Sequence, residues 1–199
     1  MIIILTSVPG CGKGKVIEFL KKKVDVNVIN FGDFMLAAAR RLGLAEDRDE
    51  LRTKISIDQS QSMQRKVARL ISKKIWELGG DVIIETHCAV RSAAGYFPGL
   101  PYEVIRALKP SAIVVREADP AKNIERRNRD RKTGVRVKRD DEDEESIRLH
   151  QELNRSFAAA YSAISGATLR IIIDRDHEDY PFQNAEIVAD AIAEILRFR

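Results

Sequence analysis

The sequence predicts an α/β protein built in three layers, with a five-stranded parallel sheet that has helices on both faces. Short apolar runs rich in β-branched residues alternate along the 199-residue chain with longer stretches of helical periodicity. Unbroken apolar runs of this kind are typical of strands buried on both faces. Their alternation with helices indicates crossover connections, which join parallel strands. The third observation is a glycine-rich turn between the first strand and the first helix.

The predicted elements follow one another in a regular order. The strands are expected at residues 2–5, 26–29, 81–85, 111–115 and 169–173. The helices are expected at residues 12–23, 33–42, 56–78, 102–108, from 120 onwards, at 142–164 and at 185–196. Between them, residues 95–101 contain two glycines and two prolines and are predicted to form a loop. Two stretches do not fit a simple alternation of strands and helices: a helical insert at residues 31–78 and a charged stretch at residues 126–145.

The ends of several helices are marked by characteristic residues. Ser56 or Asp58 would cap the long helix of the insert, and Gly79 would end it. Pro120 suits the first turn of the helix that it opens, because its missing N–H has no partner there in any case.

Composition and charge restrict the class of protein. Hydrophobic residues make up 44% of the chain and charged residues 32%, which is typical of a globular protein. The net charge of +4 indicates no general nucleic-acid-binding surface. The two cysteines are too few for a disulfide framework and favour a reducing compartment. With neither a signal peptide nor a membrane span in the pattern, we expect a cytoplasmic protein without a membrane partner.

The strongest functional signal lies between the first strand and the first helix. Residues 7–15 resemble the phosphate-binding pattern G-x-x-x-x-G-K-[ST], whose glycines let successive N–H groups turn towards a phosphate. The helix N-terminus adds partial positive charge, and Lys13 would reach the β- and γ-phosphates. The predicted ATP-binding residues of this loop are Ser7, Val8, Pro9, Gly10, Cys11, Gly12, Lys13, Gly14 and Lys15.

The loop departs from that pattern at two positions. Ser7 stands where the first glycine belongs, and Gly14 stands where the pattern has a Mg²⁺-binding hydroxyl. Mg²⁺ would then be held by ATP oxygens, water and an acidic residue, or Lys15 would supply some of the charge.

The motifs taken together resemble the archaeal adenylate kinase family over nearly the whole chain. The segments that carry the resemblance are residues 8–13, 30–32, 46–52, 84–87, 95–101, 150–155 and 166–168. The resemblance implies a P-loop NTPase fold with sheet order 2-3-1-4-5, and reversible phosphoryl transfer from ATP to AMP with Mg²⁺. It also implies an insert that binds the monophosphate, a lid over ATP, and often a trimer.

These expectations divide a single domain, residues 1–199, into three parts. The core would comprise residues 1–30, 79–125 and 146–199, the monophosphate-binding insert residues 31–78, and the lid residues 126–145.

The acceptor nucleotide is expected at the carboxyl ends of the strands, where ligands bind in sheets of this kind. Gly32 and Asp33 follow the second strand, and the insert supplies arginines, two of which would otherwise be ordinary surface residues. The resemblance adds His87, Arg91 and Arg155. The predicted AMP-binding residues are Gly32, Asp33, Arg40, Arg48, Arg52, His87, Arg91 and Arg155.

Glu85 ends the third strand, where related kinases place an acid that orients Mg²⁺ through water. The family usually has aspartate here, so glutamate is a departure. The neighbouring His87 and Cys88 lack the further ligands that a zinc site requires.

The charged stretch is predicted to be the lid. Residues 126–139 contain eight Lys or Arg and one Asp. Arginine suits this place because its planar guanidinium pairs with phosphate oxygens, and a closed lid excludes water. We predict Arg126 and Arg136 as ATP-binding residues, and Lys13, Arg127 and Arg139 as catalytic residues.

Two other functions stay open from the sequence. A kinase for UMP or CMP would use the same parts, because base selectivity depends on a few unplaced side chains. A P-loop ATPase or switch that binds RNA or a protein is favoured by the missing hydroxyl at Gly14 and by the basic stretch. The insert and the arginine-rich lid lie where a kinase for two nucleotides needs them.

Overall fold

A parallel β-sheet forms the centre of the molecule in the computed structural model, which describes residues 1–92, 94–132 and 143–198. The strands are β1 (Ile2–Thr6), β2 (Asn27–Asn30), β3 (Val82–Thr86), β4 (Ala89–Ser92), β5 (Gly95–Pro98), β6 (Ala112–Glu117) and β7 (Thr168–Ile173). The central sheet has the order β2-β3-β1-β6-β7, and all its pairs are parallel. When only the five strands of this sheet are numbered along the chain, the order is 2-3-1-4-5, so the predicted fold class is confirmed.

Helices cover both faces of this sheet. They are α1 (Lys13–Lys23), α2 (Phe31–Arg41), α3 (Glu50–Thr53), α4 (Ile57–Leu78), α5 (Tyr102–Leu108), α6 (Pro120–Lys132), α7 (Glu144–Ser165) and α8 (Gln183–Arg197). One buried cluster joins a face of the sheet to α2, α4, α5 and α7. A second joins the other face to α1 and α8. The three central strands β3, β1 and β6 are almost wholly buried, as their apolar runs predict, while the edge strand β7 is largely exposed.

The long insert helix α4 begins with a complete capping box. Ser56 Oγ accepts a hydrogen bond from the Gln59 amide at 3.2 Å, and Gln59 Oε1 accepts one from the Ser56 amide at 3.1 Å. Both amides would otherwise lack partners at the helix start. The helix ends at Gly79, whose φ of +64° favours glycine.

The prediction of a loop at residues 95–101 is wrong for residues 95–98, which form a strand, and right for residues 99–101. Strands β4 and β5 form an antiparallel hairpin there, with Ala89 opposite Pro98 and Ser92 opposite Gly95. Each strand is only four residues long, so its side-chain alternation is too short to show in the sequence. Pro98 is tolerated because the hairpin has only two strands and each therefore has a free edge.

The structure shows which helices lie in the predicted insert and in part of the predicted lid. Helices α2, α3 and α4 occupy the insert, and α6 runs through residues 126–132 of the predicted lid. Residues 133–142, with Arg136 and Arg139, lie outside the described residues. The division into core, insert and lid stays a prediction.

No helix of the described residues has the length and apolar character that crossing a bilayer requires.

Gly99 offers a test of how the hairpin joins the sheet. A Cβ built on Gly99 would lie 1.9 Å from the backbone oxygen of His87, so alanine here would force two backbone segments apart. We expect Gly99→Ala to lower the free energy of unfolding by about 2–3 kcal/mol. Thermal unfolding followed by circular dichroism would then show a loss of roughly 5–10 °C.

Gly14→Ala is the matched control for Gly99→Ala. It lies in the first turn of α1, and a Cβ there would meet nothing within 4 Å. Its melting temperature should equal or slightly exceed that of the wild type. A similar loss in both variants would contradict the steric explanation.

Candidate functional site

The glycine-rich loop between β1 and α1 has the backbone conformation that a phosphate-binding nest requires. Gly10 has φ of +94° and Gly12 φ of +79°, both in the left-handed region that side chains disfavour. Gly12 is the residue immediately before α1, so the loop ends at a helix N-terminus with its partial positive charge. The loop can therefore present backbone N–H groups to an anion.

Lys13 directs a buried ammonium group to the end of the sheet. Its Nζ donates to Ser7 Oγ at 3.2 Å and lies 3.9 Å from Glu85 Oε1. Burial lowers the Lys13 pKa from 10.5 to about 8, and the negative charge of Glu85 opposes this shift. The neighbours thus satisfy the ammonium only partly, and a phosphate would supply the remaining negative charge.

His87 lies beside Lys13 and contacts the backbone at the start of the loop. Its Nδ1 hydrogen-bonds the Ser7 backbone oxygen and lies 3.4 Å from Lys13 Nζ. Burial, followed by the positive charge of Lys13, holds the His87 pKa well below its ordinary value, so the ring is neutral. Because a carbonyl only accepts, Nδ1 carries the proton and donates it to Ser7. His87 therefore positions the loop and lines the cavity described below.

Ser7, at the position of the missing first glycine, has a structural role of its own. Its buried hydroxyl donates to the Val8 oxygen at 3.0 Å and accepts from Lys13. A glycine could make neither contact. The departure therefore adds a hydrogen-bond partner for the ammonium of Lys13.

Arginines hold the loop from its other side. Arg127 donates to the Pro9 oxygen through Nε at 2.9 Å and Nη2 at 2.7 Å. Arg126 Nη1 lies 3.4 Å from the Cys11 oxygen, and Arg116 Nη1 donates to the Gly12 oxygen at 3.2 Å. These contacts engage the carbonyl oxygens of the loop. The N–H groups of the loop are then available to a phosphate.

Arg116 is a site residue that the sequence interpretation missed. Its guanidinium pairs bidentately with Asp174 at 2.8 and 2.9 Å, and both side chains are buried. A signal was present, because a basic residue directly follows the apolar residues of β6 and an acidic residue follows the neighbouring strand β7. Two opposite charges at adjacent strand ends indicate a buried ion pair.

A cavity of about 420 Å³ opens beside Lys13. It brings together many predicted site residues, namely Pro9, Lys13, Gly32, Arg48, Arg52, Glu85, His87, Arg91 and Arg127. Apolar side chains form another part of its lining, including Phe31, Met35, Leu51, Val90 and Phe97. A cationic part next to an apolar part is the chemistry that a nucleotide requires, since the phosphate needs positive charge and the base needs an apolar surface.

Arg48 is held in the cavity wall by the end of β2. Its Nη2 donates to Asn30 Oδ1 at 3.2 Å and pairs with Asp33. Asn30 also caps α2, since its Oδ1 accepts from the Asp33 amide at 3.2 Å. Asp33 is therefore a partner of an arginine that lines the cavity, while its own side chain is exposed and outside the lining.

Some other predicted residues are absent from the cavity lining, among them Arg40, Arg155, Lys15 and Arg126. Arg40 is exposed and donates through Nε and Nη2 to the Glu46 oxygen at 2.9 and 2.7 Å. Arg155 pairs with Glu117, with Nε 2.9 Å from Oε1. Lys15 pairs with Glu18 at 2.6 Å, and Arg126 is absent from the lining although it contacts the loop. Each of the first three has a protein partner that holds its charge elsewhere.

Two buried residues join α7 to the site and were not predicted. Asn154 Oδ1 accepts from Thr6 Oγ1 at 3.1 Å and from the Cys88 amide at 2.9 Å. His150 Nε2 lies 3.1 Å from the Ala89 oxygen, and its ring lines the cavity.

Burial raises the Cys88 pKa to about 12, so this thiol is not a nucleophile.

The described residues contain no group of three or more metal-ligating side chains. Glu85 supplies a carboxylate to the lining of the cavity, 3.9 Å from the Lys13 ammonium, and Asn30 Nδ2 orients it by donating to Oε2 at 3.1 Å. One carboxylate fits a Mg²⁺ ion that is bound mainly by phosphate oxygens and water. It does not fit an ion held by the protein alone.

Comparison with known proteins agrees with this geometry. A family model described as an AAA domain matches residues 6–148. The adenylate kinase of Pyrobaculum aerophilum is 37% identical over 198 residues, which cover 98% of this chain and 96% of the relative. That of Thermoplasma acidophilum is 39% identical over 173 residues, covering 87% and 89%.

A solved structure supports the fold alone. The shikimate kinase of Bacteroides thetaiotaomicron matches with a TM-score of 0.56 at 14% identity, covering 99% of this chain and 98% of that one. The phosphate loop and the two sequence relatives lead to one conclusion. The chain contains the matched AAA domain and belongs to the adenylate kinase family.

Proposed function

We propose that the protein transfers the γ-phosphoryl group of ATP reversibly to AMP, forming two ADP. One observation carries the proposal: Lys13, arginines of the insert and an apolar surface line the same cavity. The names of the sequence relatives support the same activity. Lys13 and the loop amides would hold the donor, and the rest of the cavity would hold the acceptor.

On the donor side, the N–H groups of residues 10–13 bind the β-phosphate. Lys13 contacts the β- and γ-phosphate oxygens and follows the charge into the transition state. The carbonyl contacts of Arg116 and Arg127 fix the loop before ATP arrives, so little reorganisation accompanies binding.

On the acceptor side, Arg48, Arg52 and Arg91 hold the phosphate of AMP in line with the γ-phosphorus. An oxygen of that phosphate attacks the phosphorus, and the bond to the β–γ bridging oxygen breaks. No general base is required, because the attacking phosphate is already an anion. Arg127, on the cavity wall, adds positive charge, and the predicted lid residues Arg136 and Arg139 stay predictions.

When bound, Mg²⁺ would reduce the negative charge of the ATP phosphates, and Glu85 would help to hold it through water. The ammonium of Lys15, which was expected to supply some of the charge, pairs with Glu18 and lies 4.9 Å from the Phe182 ring centroid, so its role stays a prediction. The trimer that the resemblance implies stays a prediction.

The proposed activity is tested by assaying purified protein with ATP, Mg²⁺ and a panel of monophosphate acceptors. We expect ADP to form fastest with AMP, and ATP to form when ADP alone is supplied. Preferential reaction with UMP or CMP would overturn the adenylate assignment. ATP hydrolysis that is stimulated by RNA and indifferent to AMP would favour a P-loop switch instead.

The role of the insert arginines is tested by comparing Arg52→Ala with Arg40→Ala. Both changes remove one positive charge from the insert, but only Arg52 lines the cavity. A hydrogen bond to a charged group contributes about 1.5–3 kcal/mol, so Arg52→Ala should raise the KM for AMP by roughly 10- to 100-fold. The KM for ATP should change much less.

Arg40→Ala should leave the KM for AMP within about twofold, because long-range effects of one exposed charge are screened by salt. Equal increases in the two variants would show that the insert acts only through its overall charge.

A further inference from the structure

The outward face of α4 carries a row of cations that ends at the only tryptophan of the chain. Lys66, Arg69, Lys73 and Trp76 are spaced three, four and three residues apart, so they lie along one side of the helix. All four are exposed, and 85% of Trp76 is accessible. At the helical rise these four residues, the α4 stripe, extend over about 15 Å.

The three cations of the α4 stripe lack the partners that cations on other helices have. Lys22 pairs with Glu18 on α1, and Arg148 pairs with Glu144 on α7, in each case one helical turn away. In contrast, Lys66, Arg69 and Lys73 make neither a hydrogen bond nor an ion pair with any residue that the structure describes. Their positive charge is therefore not neutralised by the protein.

The neighbouring helix α5 adds positive charge on this side of the molecule. Ser72 Oγ of α4 lies 3.0 Å from the Ala107 oxygen, so the two helices are in contact. The exposed charged residues of α5 are Arg106 and Glu103, and exposed Lys109 follows its last residue. The sum of these charges is positive. The net charge of only +4 for the whole chain is thus unevenly distributed.

Neither the cations nor the indole of the α4 stripe stabilises the fold. Like charges three and four residues apart on a helix repel each other, and Arg69 has such a neighbour on both sides. Trp76 is too exposed to contribute to the core, and its ring is open to a flat partner. A ligand with negative charges and an aromatic ring would relieve the repulsion and cover the indole.

Single-stranded RNA has both of these properties. Its phosphates would pair with the cations, and an unpaired base would stack on the indole, as in other proteins that bind single strands. Duplexes keep their bases inside, and RNA commonly presents unpaired bases in its loops and ends. A second copy of the chain would bring the same positive charge and be repelled.

A membrane surface fits the α4 stripe less well. A helix that binds in the interface inserts an apolar face into the lipid. The apolar face of α4, with Val67 and Ile71, is buried in the core of the protein. Only Leu70 and Trp76 are large apolar residues on its exposed middle part.

We propose that the α4 stripe is a docking surface for single-stranded RNA, in which the three cations bind phosphates and Trp76 stacks on a base. The inference goes beyond the proposed function and does not depend on it. Since α4 lines the nucleotide cavity with Ser60 and Gln64, which are buried on the other side of the helix, RNA and nucleotides should bind at the same time.

The fluorescence of the unmodified protein gives the first test. Trp76 is the only tryptophan, so tryptophan emission reports on the α4 stripe alone. We expect an oligouridylate of about twelve nucleotides, without a terminal phosphate, to quench this emission in a saturable titration. The logarithm of the association constant should fall with that of the salt concentration with a slope of about −2, for three phosphate contacts.

Two variants separate stacking from charge, and anisotropy of a fluorescein-labelled oligouridylate measures their binding. Trp76→Ala should weaken binding roughly 5- to 100-fold and leave the salt slope unchanged. The double variant Arg69→Ala/Lys73→Ala should reduce the slope to about −0.7, because one phosphate contact remains. Alanine suits an exposed helix position, so neither variant should melt at a lower temperature.

Lys22→Ala/Arg148→Ala is the matched control for the double variant. It also removes two exposed positive charges, but both of these pair with carboxylates on other helices. Its affinity for the oligouridylate should stay within about twofold of the wild type, since distant charges are screened by salt. An equal loss in the two double variants would show that only the overall charge matters, and would overturn the proposal.

Other outcomes would also overturn the docking surface. These are an absence of RNA binding at low salt, quenching equally strong with an abasic phosphodiester of the same length, and tighter binding of the matching deoxyribose oligomer. Displacement of the RNA by ATP would place it in the cavity instead. A blue shift of Trp76 emission with phosphatidylserine vesicles, but no response to RNA, would assign the stripe to a membrane.

The kinase assay separates this inference from the proposed function. Phosphoryl transfer to AMP without any RNA binding would overturn the inference and leave the kinase assignment standing. RNA binding at Trp76 by a protein that does not use AMP would do the reverse.

Discussion

The burial of the Lys13 ammonium at the carboxyl end of a parallel sheet is the constraint on which the site depends. The group lies between a serine hydroxyl, a neutral histidine ring and one carboxylate 3.9 Å away. Desolvation lowers its pKa to about 8, so its positive charge is incompletely compensated. A polyphosphate would supply that compensation, and the left-handed glycines on the same loop shape the backbone whose N–H groups would bind it.

The surroundings of the loop act through its carbonyl oxygens. Arg116, Arg126 and Arg127 contact the oxygens of Gly12, Cys11 and Pro9, while Asp174 fixes Arg116. The loop is thereby preorganised by groups that need not touch ATP. The arginines of the insert that line the cavity would serve the second substrate.

The sequence predicts much of this arrangement because its signals are local. Buried β-branched runs predict the five parallel strands, and the Gly-x-Gly-Lys core predicts the loop. The hairpin was missed because two four-residue strands are too short for periodicity. The position of Arg40 was missed because sequence shows a charge but not its partner, here the Glu46 oxygen.

A crystal structure with a two-headed mimic, in which phosphates join two adenosines, tests the central claim most directly. The account predicts a phosphate chain that runs from the amides of residues 10–13 and Lys13 to Arg48 and Arg52, with the second adenosine in the same cavity. Density for a single adenosine, or a phosphate chain that avoids Lys13, would contradict it.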